Sequence, residues 1–383
     1  MLNMKKRTLL LDIVRVLVGL LFIFSGLIKA NDPLGLSYKM QEFFAAWGIS
    51  QLNGYTLSTA LVMNVFEVLA GVSLLVGWQM KLFTRLLLLL IIFFGFLTGY
   101  ALLSGKIKEC GCFGDCLPLT DLQSFLKDVF LFLLILLLFF NHRKIKPLFK
   151  SPRVSFLLLA CSVLFVCYTE YYVLRHLPVL DCLPYKTGRN IPQEMQVPAG
   201  AVPDSFALTF QYLKNGKQIE FDAEHIPTDT SYHFLSRYDR LVRKGNDIPA
   251  ISDFSLLDAS GADITDSVLK QPHYYVLVIT QDLSGWKRQA PAFAKVSSLC
   301  KAENIPCWLV TASTEGAETI FGSDTARILR LDATVIRAAA RVNATYYLLW
   351  NGNILAKNSY ADADDFLREC KTLIANHQTT LHP

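Results

Sequence analysis

The chain has 383 residues, 52% of them hydrophobic and 18% charged, with a net charge of +5. Soluble domains carry about 25% charged residues, so the deficit points to a membrane protein and excludes fibrous, collagen-like and disordered chains. Charge is unevenly spread: residues 1–175 hold 17 Lys/Arg against 9 Asp/Glu, and residues 176–383 hold 20 against 23. The basic excess lies beside apolar spans rather than along one soluble face, which argues against a nucleic-acid partner.

Five apolar stretches, approximately 9–29, 57–78, 84–104, 122–140 and 154–175, are long enough to cross a bilayer as helices. Lys5, Lys6 and Arg7 precede the first, and no small-residue cleavage site follows it, so it reads as an anchored helix rather than a signal peptide. Lys81 and Arg85 lie between the second and third spans, and Arg143, Lys144, Lys146, Lys150 and Arg153 between the fourth and fifth. The loops 30–56 (Lys39 against Asp32 and Glu42) and 105–121 (Lys106 and Lys108 against Glu109, Asp115 and Asp121) carry no basic excess. Positive charge on alternate loops predicts a cytoplasmic N-terminus and an inner-membrane protein whose residues beyond 175 lie in the periplasm.

Within the spans, Glu67 is the costly residue, because a carboxylate at mid-membrane needs a partner. Arg15 is the expected partner, with Asp12 as competitor, and Lys29 at the end of the first span is expected to snorkel to the interface. An Arg15–Glu67 pair reads either as a structural brace between helices or as a cofactor contact or proton route. Gly19, Gly26 and Gly71 allow close helix approach.

Nine cysteines fall at 110, 112, 116, 161, 167, 182, 300, 307 and 370. Cys110, Cys112 and Cys116 form one short element, Cys-Gly-Cys-Phe-Gly-Asp-Cys, on the outer side by the charge reading, where thiols generally pair. Thr120 and Gln123 make a capping box for the fourth span, and a thiol near a helix N-terminus is biased toward thiolate. Three readings stay open for the triple: one structural disulfide with a spare thiol, a redox-active exchange set, or a metal site completed by His176 or Cys182. Cys182, seven residues past the fifth span, is a resolving partner or a plain surface disulfide. Cys161 and Cys167 read as apolar packers inside the fifth helix, and Cys300 and Cys307 as a pair close enough to bridge.

The outer half opens with scattered prolines and a hairpin, Phe206–Leu213 and Gln218–Phe221 joined by Asn215-Gly216. From about 250 it alternates: a strand-like segment 253–258, a strand 274–280, a helix 286–302, a strand 307–311, a helical stretch 315–322, a strand 327–331 and a helix 334–341. A hairpin 345–349/354–357 and a helix 361–376 follow, which predicts a small layered α/β domain.

Two resemblances follow from these residues. Cys110-Gly111-Cys112-Phe113-Gly114 before the fourth helix, Arg15-x3-Gly19-x2-Phe22-x2-Ser25-Gly26-x2-Lys29, and Asn64-x2-Glu67-x3-Gly71 resemble the MauE branch of the DoxX/MauE-like family over about residues 8–140. Residues 248–376 resemble the thioredoxin-like fold. Gln281–Trp286 stands where that fold's Cys-x-x-Cys belongs, and Ala344 where its cis-proline belongs, so shape without its chemistry is implied. The expected architecture is a four-helix membrane domain (1–145), a fifth helix and linker (146–180), a small β-rich segment (181–250) and a thioredoxin-like domain (251–383). The family likeness implies a role in periplasmic thiol–disulfide exchange or maturation of exported proteins, with Cys110, Cys112, Cys116 and Cys182 as the reactive set. Arg15 and Glu67 are candidates for contact with a quinone acceptor, and an envelope protein is the expected partner. The alternative is a non-catalytic membrane scaffold with structural cysteines and a docking domain. A transporter is less well matched, for want of broken helices and repeats. No haem, dinucleotide or phosphate-loop motif occurs.

Overall fold

The computed structural model describes residues 2–107, 111, 113–203, 205–243, 245, 247–313, 317 and 327–381. Five helical segments are apolar and long enough to cross a membrane: Leu9–Asn31, Ser50–Val76, Met80–Ser104, Asp121–Lys144 and Pro152–Val173. They are carried by α1 (Leu2–Asn31), α3 (Thr56–Val76), α4 (Met80–Ser104), α5 (Asp121–Asn141) and α6 (Pro152–Val173). The lipid bilayer is the environment these surfaces require, since Leu89, Phe96, Leu133, Phe156 and Leu164 stand exposed around the bundle. Between the first two spans lies α2 (Pro33–Ala46), a helix where only a loop was expected. Its start is nonetheless written in the sequence: the Asp32 side chain accepts from the Gly35 N–H, and Pro33 occupies the first turn.

Helices α1 and α3 run antiparallel in close contact. A Cβ added at Gly71 would lie 2.6 Å from the Gly19 carbonyl oxygen, and one at Gly26 would meet Val68, Asn64 and Glu67. That register brings residues near 77 beside Arg15 and residues 64–68 beside Gly26. At the Arg15 end the connections gather: the Leu148 N–H donates to the Val76 carbonyl (2.8 Å), and Arg15 Nη1 donates to the Lys146 carbonyl (3.2 Å). The opposite end carries α2, the cysteine-bearing loop and residues 174–183.

The C-terminal region is an α/β unit. Strands β4 (Tyr274–Thr280), β5 (Cys307–Thr311), β6 (Arg327–Arg330), β7 (Thr345–Trp350) and β8 (Asn353–Ser359) form one sheet in the order β6-β5-β4-β7-β8. The pairs β4/β5 and β5/β6 are parallel, and β7 runs antiparallel to both β4 and β8. Strand β4 shows why the sheet is covered on both faces. Tyr275, Leu277 and Ile279 bury with Val335 and Ile336 of helix Ala333–Ala339, while Val276 and Val278 bury with Phe293 and Val296 of helix Trp286–Ala302 and Phe366 of helix Ala363–Leu381. The bond Asn343–Ala344 is cis.

The strands 274–280 and 307–311 and the helix 286–302 have the extents read from the sequence. The segment 253–258 is no strand, making only bridges from Leu257 to Asp263 and Arg330. The expected helical stretch 315–322 lies outside the described residues, Ala317 excepted. A second, three-stranded sheet in the order β2-β1-β3 contains β1 (Ser205–Lys214), β2 (Lys217–Asp222) and β3 (His233–Arg243). Asn215 and Gly216 both adopt positive φ (49° and 76°) in its hairpin, as a tight primed turn requires. Strand β3 was not foreseen, its run of charged and aromatic residues giving no clean alternation. Residues just before this sheet belong to the α/β core: Tyr185 and Ile191 are buried in it, and the Ile191 N–H donates to the Gly352 carbonyl (2.9 Å).

Candidate functional site

Cys116 closes a single 3-10 turn, Gly114–Cys116, just before α5. The capping box read from the sequence is formed: the Gln123 N–H donates to Thr120 Oγ1 (3.3 Å), and the Thr120 N–H donates to Gln123 Oε1 (3.1 Å). Gly111 and Gly114 take positive φ (68° and 58°), which lets this loop double back. Cys116 is bonded to Cys182, with their Cα atoms 4.9 Å apart. The bridge joins the loop before α5 to the segment after α6 and leaves both cysteines half-buried. Cys110 and Cys112 lie outside the described residues.

Each cysteine of the bridge has an acidic neighbour in the chain, and both acids are held by the α/β unit. Arg341 Nη2 donates to Asp115 Oδ2 (2.6 Å), and Lys357 Nζ donates to Asp181 Oδ2 (2.6 Å). Arg341 Nε also donates to Asp32 Oδ2 (2.7 Å), so one guanidinium ties α2's cap and the cysteine loop to the α/β unit. Burial works against Arg341's charge, but Asp32 and Asp115 more than offset it and hold the guanidinium charged. Burial pushes the Asp32 carboxyl up against the pull of Arg341, and pulls the Lys357 ammonium down against Asp181. Alongside, the Tyr38 hydroxyl donates to Gln281 Oε1 (2.9 Å), and the Gln281 N–H donates to Asn343 Oδ1 (2.7 Å). The loop edge that carries Gln281 and Asn343 therefore faces the membrane bundle beside the disulfide. Asn31 adds a reciprocal pair with the Leu180 backbone (2.9 and 3.0 Å).

Below this junction a narrow cavity of about 40 Å³ lies between α1, α3, α4 and α5. Its lining is mainly apolar, with Lys29, Glu67, Lys127 and Asp128 as the charged members. Phe113, from the cysteine element itself, also lines it, and its ring packs against Phe24 (5.8 Å) and under Lys127 Nζ (5.2 Å).

The expected Arg15–Glu67 pair is not formed. Glu67 is paired with Lys29, and both side chains are fully enclosed. Arg15 pairs with Asp12 (3.5 Å) and with the Lys146 carbonyl. The antiparallel register explains the exchange: Glu67 lies opposite Gly26 and Lys29, roughly 16–21 Å along α1 from Arg15 at about 1.5 Å per residue. Lys29 does not snorkel because protein rather than water lies above it; its ammonium sits 4.8 Å over the Phe94 ring. Other intramembrane polar contacts escaped the sequence reading. Asn64 Nδ2 donates to Glu170 Oε1 (3.1 Å) between α3 and α6, and Thr98 Oγ1 donates to Asp128 Oδ2 (3.0 Å) between α4 and α5. The signal was present, in that Glu170 and Asp128 are acids inside apolar helices.

The other described cysteines, Cys161, Cys167, Cys300, Cys307 and Cys370, are thiols. Cys161 and Cys167 do not pack inside the bundle but face outward, because the buried stripe of α6 is Leu159, Val166, Glu170 and Val173. Cys300 and Cys307 are not bridged; they meet as thiols in the dry core under helix Trp286–Ala302. The hydrogen bond from Cys300, together with burial, holds Cys307 well above the ordinary thiol range, and burial pushes Cys370 up to about 12. Such thiols are poor nucleophiles. His176 lies 2.7 Å from Asp362 and stacks on Tyr172, and Cys116 and Cys182 are bonded to each other, so among the described residues no metal-holding group is assembled at the cysteine loop.

The family described as Methylamine utilisation protein MauE matches residues 7–141. The N-terminal region is MauE-like. This MauE-like region ends with α5, so α6 and everything after it lie beyond the match. A domain of unknown function, DUF8463, matches residues 206–244, the three-stranded sheet. Protein TlpB of Flavobacterium psychrophilum is 29% identical over 138 residues, which cover 33% of this chain and 35% of that protein. The chain thus aligns with about a third of the length of that relative. No solved structure matches the chain.

Proposed function

We propose that the protein is a membrane-anchored thiol–disulfide exchange factor acting on exported proteins at the outer face of the inner membrane. The observation that carries this reading is the Cys116–Cys182 bridge, half-buried between two loops, with Phe113 of the same cysteine element lining the cavity beneath it. Orientation belongs to the proposal: the Lys/Arg-rich connections gather at the Arg15 end, which supports a cytoplasmic side for that end and a periplasmic side for the bridge and the α/β unit.

In the exchange, a client thiolate attacks one sulfur of the bridge and the other cysteine leaves as a thiolate. The second client thiol then displaces the first sulfur, giving an oxidised client and two reduced cysteines. Cys110 and Cys112, on the same loop, are the next carriers. Two electrons and two protons must then pass to an acceptor to restore the bridge. The apolar lining of the cavity supports an acceptor of the quinone class, for which the narrow space has to widen, with Lys29 and Glu67 as its polar neighbours; Arg15, at the far end of the bundle, takes no part. The α/β unit has the strand order and two-sided helix cover expected of a thioredoxin-like domain. Two of its thiols, Cys307 and Cys370, are held above the ordinary thiol range by their surroundings, which supports a docking rather than an exchanging role.

The second reading, a non-catalytic scaffold, is favoured by the ion pairs that flank both sulfurs, since they suit a permanent staple as well. Replacing Cys112 by Ser separates the two. An exchange factor loses oxidation of its clients while remaining folded and membrane-inserted. A scaffold retains client oxidation and partner binding, and that result contradicts the proposal.

A further inference from the structure

The two cysteines of the bridge come from loops 66 residues apart, and each is preceded by an aspartate. Those aspartates, Asp115 and Asp181, are gripped by Arg341 and Lys357, which belong to one rigid layer: Lys357 is on β8, and Arg341 lies four residues before β7. The α/β unit thus holds both arms of the disulfide independently of the S–S bond. Arg341 is itself fixed, since it also bonds Asp32 and donates from Nη1 to the Arg337 carbonyl (2.5 Å), and it is only 7% exposed. Lys357 is packed against the Tyr347 ring at 5.6 Å, with a side chain 4% exposed.

We propose that Arg341 and Lys357 are positioning residues for exchange at Cys116–Cys182, keeping the two sulfurs within bonding reach when the pair is reduced. This rests on the exchange reading above. Once the S–S bond is cleaved, nothing covalent keeps the 113–117 and 178–183 segments together. The two ion pairs then set the effective concentration of one thiol at the other, and the disulfide re-forms more readily while they hold. A domain without its own Cys-x-x-Cys thereby governs the redox poise of cysteines in the membrane region.

The test is the reduction equilibrium of Cys116–Cys182 in the full-length protein in detergent, poised in glutathione buffers and read by alkylation and mass spectrometry. The expected result for Arg341→Met with Lys357→Met is a fall of about tenfold in the disulfide-forming constant, about 30 mV toward a more oxidising pair. Asp181→Asn alone, which leaves the Arg341 contacts in place, gives a smaller shift in the same direction. The exchanged pair Asp181→Lys with Lys357→Asp restores the original poise, which a merely structural loss would not do. An unchanged poise in folded Asp181→Asn and in the double variant overturns the positioning role. The outcome is separable from the exchange reading: a shifted poise in a pair that never cycles in cells keeps the positioning role and removes the exchange function, and the reverse result does the opposite.

Discussion

Lys29 and Glu67 illustrate how a residue's role depends on what lies above it. At the end of an isolated span a lysine reaches water, but here the cysteine loop and α2 cover the bundle, and the ammonium turns inward to the only carboxylate level with it on α3. Glu67 Oε2 has no hydrogen-bond partner among the described residues, so this carboxylate depends on the single lysine. Removing one member of a buried pair strands the other charge, at about 3–5 kcal/mol. Lys29→Met is therefore expected to lower unfolding stability in detergent by about that amount, and adding Glu67→Leu should recover most of it. If Lys29→Met alone were neutral, the pair would not be bracing α1 against α3. The sequence marked Glu67 as needing a partner but not which one, because the choice between Arg15 and Lys29 is made by helix direction and register, neither of which is local.

Among elements, those with strong periodicity were legible. The five spans follow from apolar length, and β4, β5 and helix Trp286–Ala302 from buried-strand and helical patterns bounded by clear turns. Helix α2 was missed because its 14 residues are weakly amphipathic and sit between spans, although Asp32-Pro33 carried a start signal. Strand β3 was missed because its pairing with β1 is a long-range choice with register shifts, and its own alternation is weak. The α1–α3 contact was legible as a set of glycines and is now a geometric constraint. A methyl at Gly71 would have to displace the Gly19 carbonyl 2.6 Å away, which backbone cannot do cheaply. Gly71→Ala is expected to cost about 1–3 kcal/mol in thermal or denaturant unfolding, as overpacking does. Gly95→Ala, on α4 with open space around it, should leave stability unchanged and serves as the control. Equal behaviour of the two variants would remove close packing as the basis of the α1–α3 pair.

In the whole molecule, the membrane bundle and the α/β unit are not beads on a string. Arg341, Lys357, Tyr38 and His176 tie them across sequence separations of 176 to 309 residues, and the contacts converge around Cys116–Cys182. We propose that the α/β unit begins near 183 rather than 251, with the three-stranded sheet as an excursion from it, since Tyr185 and Ile191 complete its core. None of this convergence was legible from the sequence, where Asp115, Asp181, Arg341 and Lys357 are unremarkable surface-type charges far apart in the chain. The cysteines of the outer loop stand out in the sequence as candidates, but the choice of Cys182 as the partner of Cys116 required the fold. The central claim, that this bridge cycles, is tested most directly by acid-quenched alkylation of the protein in its native membranes, followed by mass spectrometry at Cys110, Cys112, Cys116 and Cys182. The account predicts mixed occupancy of Cys116–Cys182 that shifts toward the reduced form when respiration is blocked. A bridge that stays fully oxidised and unresponsive would contradict it and leave the cysteines as a structural staple.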